Sequence, residues 1–148
     1  MSLFEKESVI PASAQTVFDF HKRPDALQLL IPPGQPIHVV EHTGGIENGA
    51  RVVIEMGFRP FAIRWVARHQ GYIEGVRFQD VQERGPFRSW VHTHTVRALT
   101  PHSCVLRDHI EYELGLDWIL GAIVRRKLEQ TFAYRHGVTA LRTTRIKI

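Results

Sequence analysis

Between residues 37 and 113, apolar side chains recur with a period of two in six successive runs, about 37 to 43, 49 to 58, 62 to 71, 74 to 84, 88 to 98 and 104 to 113. Alternation of this kind marks strands with one covered face. The joins are short and carry turn chemistry at Asn48-Gly49, Arg59-Pro60, Glu74-Gly75, Gly85-Pro86 and Thr100-Pro101. Parallel strands need a crossover of a dozen residues or more, so these joins dictate successive hairpins and an antiparallel meander. Such a sheet has an apolar face to bury. After Gly115 the period becomes helical through about Leu141, with Leu120, Ile123, Val124, Leu128, Phe132 and Val138 on one stripe and arginines opposite. A long amphipathic helix is the natural lid.

The first 36 residues prepare the same fold. Phe4 to Ile10 alternates as a strand, Pro11 ends it, and Ser13 suits the N-cap of a helix running to about Lys22, with Ala14, Val17, Phe18 and His21 on one face. Arg23-Pro24 interrupts, Pro24 fits the first turn of a short second helix through Ala26, Leu27 and Leu30, and Pro32-Pro33-Gly34 stops it. The predicted order is β-α-α-β6-α, an α+β fold. At 148 residues and 43% hydrophobic, the chain is expected to form one domain over 1–148.

Several function classes fall away. No apolar run approaches the roughly 18 to 20 residues that cross a bilayer, and the start MSLFEKESVI is charged where a secretory signal is apolar, so a cytoplasmic location is expected. The lone Cys104 supports neither a disulfide nor a zinc framework and reads as a small buried hydrophobe. The net charge of +4 comes largely from Arg125, Arg126, Lys127, Arg135, Arg142, Arg145 and Lys147, a pattern that reads as a solvated helix face. No RNP, helix-turn-helix or finger pattern accompanies it, so nucleic acid is not an expected partner. The same basic face offers a transient contact with anionic membranes. Nothing indicates an oligomeric state.

The stretch FQDVQERGPFRSWVHTHTV, Phe78 to Val96, is polar where a strand should bury hydrocarbon. A three-residue loop at Gly85-Pro86-Phe87 sets Gln82 opposite Trp90, Asp80 opposite His92 and Phe78 opposite His94. A turn within Leu99 to Ser103 sets His94 opposite Asp108, His92 opposite Ile110 and Trp90 opposite Tyr112. Asp80, Gln82, His92, His94, Asp108 and Tyr112 then share a face with Trp65, Trp90, Leu106 and Ile110. The other face carries Arg64, Arg68, Arg77, Gln79, Glu83, Arg107, His109 and Glu111, too many charges to bury, so the first set points inward. Burying a polar group without a partner costs roughly 2 to 7 kcal/mol. The inward set therefore forms either satisfied pairs, Asp80 with His92 and Asp108 with His94, that fix the register, or polar anchors in the wall of a small-molecule pocket.

The motifs IPASAQTVFDF, RPDAL, LIPP, FQDVQERGPFRSWVHTHTV, LRDHIEYEL and FAYRHGVTAL together resemble the SRPBCC superfamily of START-like and polyketide cyclase-like proteins, over essentially the whole chain. The GPF-x-x-W-x-H-x-H run and the D-x-I-x-Y strand are similar to a bacterial subgroup of cyclase/dehydrase-like proteins. The resemblance implies a helix-grip fold, a curved antiparallel sheet wrapped around the C-terminal helix with an internal cavity for lipids, sterols, quinones, hormones or polyketides.

Binding of a hydrophobic or amphipathic small molecule is the leading expectation. Trp65, Phe78, Trp90, Ile110 and Tyr112 would supply contact area, and Asp80, Gln82, His92, His94 and Asp108 polar anchoring. The alternative is a cyclase or dehydratase in which His92 with Asp80, or next His94 with Asp108, removes a proton beside a carbonyl. No nucleophile elbow, dinucleotide-binding glycine motif or oxyanion motif supports other chemistry. His92-x-His94 with an aspartate can also reach one ion, but the spacing is weakly diagnostic and neither a metal nor another cofactor is expected. His38, His42, His69, His102 and His109 are assigned to edges, turns or the outer face, and His21 to the cavity rim. Arg135 is expected to pin the last helix to Asp108 or Glu113, or else to meet an acidic ligand. The segment Ile31 to Pro36 turns a corner at the rim.

Overall fold

The structure, a computed structural model, describes residues 1–115 and 117–144, the side chain of Asp117 excepted. The elements are β1 (Ser2–Ile10), α1 (Ala14–Lys22), α2 (Ala26–Leu29), β2 (Ile37–Thr43), β3 (Arg51–Met56), β4 (Ile63–Ile73), β5 (Arg77–Arg84), β6 (Ser89–Thr100), β7 (Ser103–Glu113) and α3 (Asp117–Thr143). They form a curved seven-stranded antiparallel sheet in the order β1-β7-β6-β5-β4-β3-β2, with the long C-terminal helix across it. This is the helix-grip architecture. Strands β2 to β7 follow one another as hairpins, and β1 closes the far edge against β7.

Local chemistry sets the element ends. The Ser13 hydroxyl accepts a hydrogen bond from the Thr16 amide at 3.1 Å, which satisfies one of the amides left open in the first turn of α1. Gly49 and Gly75 have φ of +88° and +72°, the left-handed region that favours glycine, and so let the chain reverse at the two predicted turns. The β5–β6 connection spans the four residues from Gly85 to Arg88, one more than expected.

The register nevertheless falls as the sequence indicates. Phe78 pairs with His94 and Asp80 with His92; Trp90 pairs with Tyr112, His92 with Ile110 and His94 with Asp108. The ladder between β5 and β6 stops at Val81 and Val91, so Gln82 and Trp90 lie just beyond it. The charged face points outward, with Arg68 to Glu83 at 3.3 Å and His109 to Glu5 at 2.6 Å among its ion pairs.

Two apolar clusters lie beneath the sheet. Ile10, Val17, Phe18, Phe78, Val96, Cys104 and Leu106 gather under α1, and Phe4, Trp90, Ile110, Tyr112, Leu128 and Phe132 gather under α3. The stripe expected on α3 is correct at Leu128 and Phe132 and incorrect at its start, where Leu120 is 39% exposed and Ile123 66%. The helix packs on β1 and β7, and of the apolar side chains in its first turns Trp118, Ile119 and Ile123 are exposed while Val124 packs against the cluster around Trp90. Its later turns bury His136, Thr139 and Thr143 instead. Arg125, Arg126 and Arg142 are exposed as expected, whereas Arg135 is not; Arg145 and Lys147 lie outside the described residues.

Candidate functional site

The concave face encloses a chamber of about 520 Å³ between β2–β6 on one side and α1, α2 and α3 on the other. Its wall is mostly apolar, with Leu27, Ile54, Trp65, Ala67, Phe87 and Val124 among the contributors, and Ile31, Pro32 and Gln35 of the proline-rich segment also line it. No residue of β1 or β7 takes part among the described lining. Those strands carry α3 directly, so their inward side chains meet the helix rather than the hollow.

That division sorts the expected site residues. Trp65, Phe78, Asp80, Trp90, His92 and His94 line the chamber. Ile110 and Tyr112 do not: both belong to β7 and are packed solid with Phe4, Leu128 and Phe132. Gln82 does not either. Its amide donates to the Phe87 carbonyl at 2.7 Å and accepts from the Phe87 amide at 3.3 Å, so it ties the β5–β6 loop shut. A Cβ on Gly85 would sit 2.4 Å from Gln82 Oε1, so a larger residue there would displace the Gln82 side chain from this position. Asp108 is also on β7, behind the wall, and reaches the chamber only through the histidines it holds.

Those histidines form a closed network with the two aspartates. Hydrogen bonds run across the register: His92 Nε2 donates to Asp108 Oδ1 at 2.7 Å, and His94 Nε2 donates to Asp80 Oδ1 at 3.1 Å. The remaining nitrogens face the other acid, His92 Nδ1 at 3.2 Å from Asp80 Oδ1 and His94 Nδ1 at 2.8 Å from Asp108 Oδ1. The expected dyads, His92 with Asp80 and His94 with Asp108, are therefore close contacts, while the hydrogen bonds lie on the diagonals. The two rings lie 3.7 Å apart between centroids, so each spans both acids. His136 of α3 completes the network, donating from Nε2 to Asp108 Oδ2 at 2.6 Å, with Ser8 Oγ 2.7 Å from its Nδ1. Trp90 Nε1 donates to Asp80 Oδ2 at 3.4 Å.

Burial shapes the protonation of this cluster. Burial pulls the His92 pKa down, but Asp80 and Asp108 outweigh it and push the pKa up to about 9. This favours a His92 ring carrying both protons at neutral pH. Burial raises the pKa of each aspartate, and the surrounding imidazoles more than reverse this, His92 and His94 for Asp80 and His94, His136 and His92 for Asp108, so both acids stay well below the usual carboxylate range. This weighs against the proton-removing role expected of His92. A ring already carrying both protons has no lone pair with which to act as a base.

Two further histidines belong to the chamber. His21 is on its wall, its Nδ1–H donating to the Val17 carbonyl at 2.8 Å, and burial together with the nearby His94 lowers its pKa to about 4. His69, expected on an edge or outer face, is only 9% exposed and lines the chamber. It shares the inward face of β4 with Trp65 and Ala67, a two-residue step that was readable once Trp65 was placed inside. His42 is also on the lining but exposed, at the rim. Arg135 lines the chamber with its guanidinium 5.0 Å from the Phe132 ring centre. Its expected pin to Asp108 or Glu113 is not formed; the adjacent His136 holds Asp108 instead.

Asp80, His92 and His94 also place three ligand-type atoms within 4.8 Å of one another, the residues that could hold a metal ion. In this arrangement the same nitrogens already face carboxylate oxygens.

A family model described as "Polyketide cyclase / dehydrase and lipid transport" matches residues 10–133. The chain belongs to this family. No curated protein matches the sequence. Solved structures share the fold across nearly the whole chain. They include TTHA0849 from Thermus thermophilus, at 16% identity and TM-score 0.74 over 96% of this chain and 97% of that one. A START superfamily protein from Mycobacterium smegmatis matches at 14% identity and TM-score 0.69 over 95% and 96%. Norcoclaurine synthase from Thalictrum flavum, in complex with dopamine and hydroxybenzaldehyde, matches at 17% identity and TM-score 0.70 over 95% and 85%. At these identities the likeness establishes the fold, and within a family that spans cyclases, dehydrases and lipid carriers the reaction is read from the site itself. No helix among the described residues is long and apolar enough to cross a membrane.

Proposed function

We propose that the chain, acting over 1–148 as one unit, binds a hydrophobic or amphipathic small molecule of lipid, quinone or polyketide-like character in the chamber. The observation that carries this reading is the hollow itself, about 520 Å³ with an apolar, aromatic wall and a small polar cluster on one side, the composition of small-molecule sites. Trp65, Phe78 and Trp90 supply contact area, and Asp80 and His94 are the polar members that reach the hollow. Their side chains are 19% and 12% exposed, against 3% for His92. His92, Asp108 and His136 hold them in place from behind. Contact of the exposed α3 arginines with anionic membranes during delivery is part of the same proposal, and sedimentation with anionic liposomes at low and moderate salt checks it.

Titration with Nile red, a neutral dye that brightens in apolar sites, tests binding. Saturable brightening at about one dye per chain, reduced when Ala67→Trp fills the hollow, is expected. Absence of saturable binding to dye or lipid contradicts the proposal.

A cyclase or dehydratase remains the second reading because Asp80 and His94 meet the chamber side by side. The protonated state of His92 favours holding a polar group over removing a proton. A polyketide-like ketone turned over by the wild type and not by His94→Ala, with Nile red bound equally by both, would establish the enzymatic reading.

A further inference from the structure

Three cations outside the Asp/His network line the chamber, and Arg135 is the least exposed of them; Arg23 is exposed and held by Asp25, and Lys127 is exposed. Every oxygen of the two buried acids already has another partner. Asp80 Oδ1 faces His94 and His92, Asp80 Oδ2 accepts from Trp90, Asp108 Oδ1 faces His92 and His94, and Asp108 Oδ2 accepts from His136. Among the described residues, no carboxylate lies within ion-pair distance of the guanidinium, and Asp80 is the one acid on the chamber lining. The Nε of Arg135 is buried with no hydrogen-bond partner. Trp65 Nε1, on the same lining, is likewise a buried N–H without a partner. A buried donor left unsatisfied costs roughly 1 to 3 kcal/mol, more when charged, so an arginine in this position marks a missing acceptor.

We propose that the chamber is selective for ligands carrying a carboxylate, which Arg135 receives through its terminal nitrogens while the apolar body lies against the aromatic wall. This rests on the ligand-binding reading above. A planar cation without an acid partner at an apolar wall matches a planar anion of single charge: the guanidinium fork offers two parallel donors at the spacing of two carboxylate oxygens. The Phe132 ring beneath the guanidinium holds it in place and leaves its donor edge for the ligand. Burial lowers the Arg135 pKa while Asp108 and Asp80 draw it back up, and an arginine keeps its charge through such shifts.

The test compares dodecanoic acid, its methyl ester and dodecanol as competitors for bound Nile red at pH 8, each below its aggregation limit. The acid is expected to displace dye about tenfold or more tightly than the ester or the alcohol. Arg135→Gln should bring the three to parity when each is referred to that variant's own Nile red affinity, and Arg135→Lys should restore part of the preference for the acid. Ester and alcohol binding as tightly as the acid in the wild type overturns the carboxylate assignment and leaves the binding proposal standing. Failure of all three to displace the dye overturns the assignment as well, and failure of the dye itself to bind overturns both. The wild-type comparison decides the matter even where Arg135→Gln does not fold.

Discussion

The same chemical pair occurs on both faces of the sheet. On the outer face, His109 Nδ1 meets Glu5 Oε1 at 2.6 Å; on the inner face, His92 Nε2 meets Asp108 Oδ1 at 2.7 Å. Both join β7 to a neighbouring strand, and both are imidazole to carboxylate. They differ in surroundings. The outer pair stands in solvent, where exposed ion pairs contribute little because water and salt screen them. The inner pair is almost fully buried, and there two acids keep His92 charged up to about pH 9. A contact distance alone therefore says little about what a pair does; burial decides whether it can hold a proton in place and whether its loss unfolds the sheet.

The largest expected effect is at Asp108. Asp108→Ala removes the partner of His92, His94 and His136 at once and should destabilise the protein by about 3 to 5 kcal/mol in denaturant unfolding, the cost of breaking a buried pair from one side. An effect no larger than that of Glu5→Gln would erase the distinction between the faces.

The next effect depends on pH. The pKa of His92 in the fold, about 9, is above its ordinary 6.5, so the stability it contributes is fully present below pH 6.5 and is lost as pH rises through 9. His92→Gln should therefore cost on the order of 3 kcal/mol more at pH 6 than at pH 9.5, read from urea curves at the two pH values. A cost independent of pH would mean that the inner wall does not hold a charged imidazole. On the acid side the sign reverses for His21. Its folded pKa is lowered to about 4, so its contribution is present above pH 6.5 and falls away as pH drops through 4.

Smaller changes bound the comparison. Gln82→Ala, which frees the β5–β6 loop that carries Phe87 of the wall, should cost about 1 to 2 kcal/mol and weaken Nile red binding far less than Ala67→Trp does. A loss of binding as complete as that of Ala67→Trp would place Gln82 in the site after all. Glu5→Gln should leave thermal melting within scatter of the wild type, and a clear drop would show the outer pair to matter as much as the inner one.

Much of this was legible in the chain. The hairpin joins pin the register, so Asp80, His92 and His94 could be placed on one face with Trp65, Phe78 and Trp90 before any coordinates. What the period does not encode is where the helix rests. That choice made Ile110 and Tyr112 solid core, moved Asp108 behind the wall and left Ile123 exposed. The diagonal hydrogen bonds were equally hidden, because they depend on ring rotation rather than strand pairing. His136 and Arg135 show the same limit: neighbours on one helix, they split the two roles of holding Asp108 and facing the hollow, and only the helix's rotation about its axis decides which does which.

The most direct test is nitrogen NMR of the His92 ring, assigned by comparison with His92→Gln. Both ring nitrogens are expected to carry protons at pH 7.5, with deprotonation near pH 9. A neutral tautomer at pH 7.5, with one unprotonated nitrogen, would contradict this.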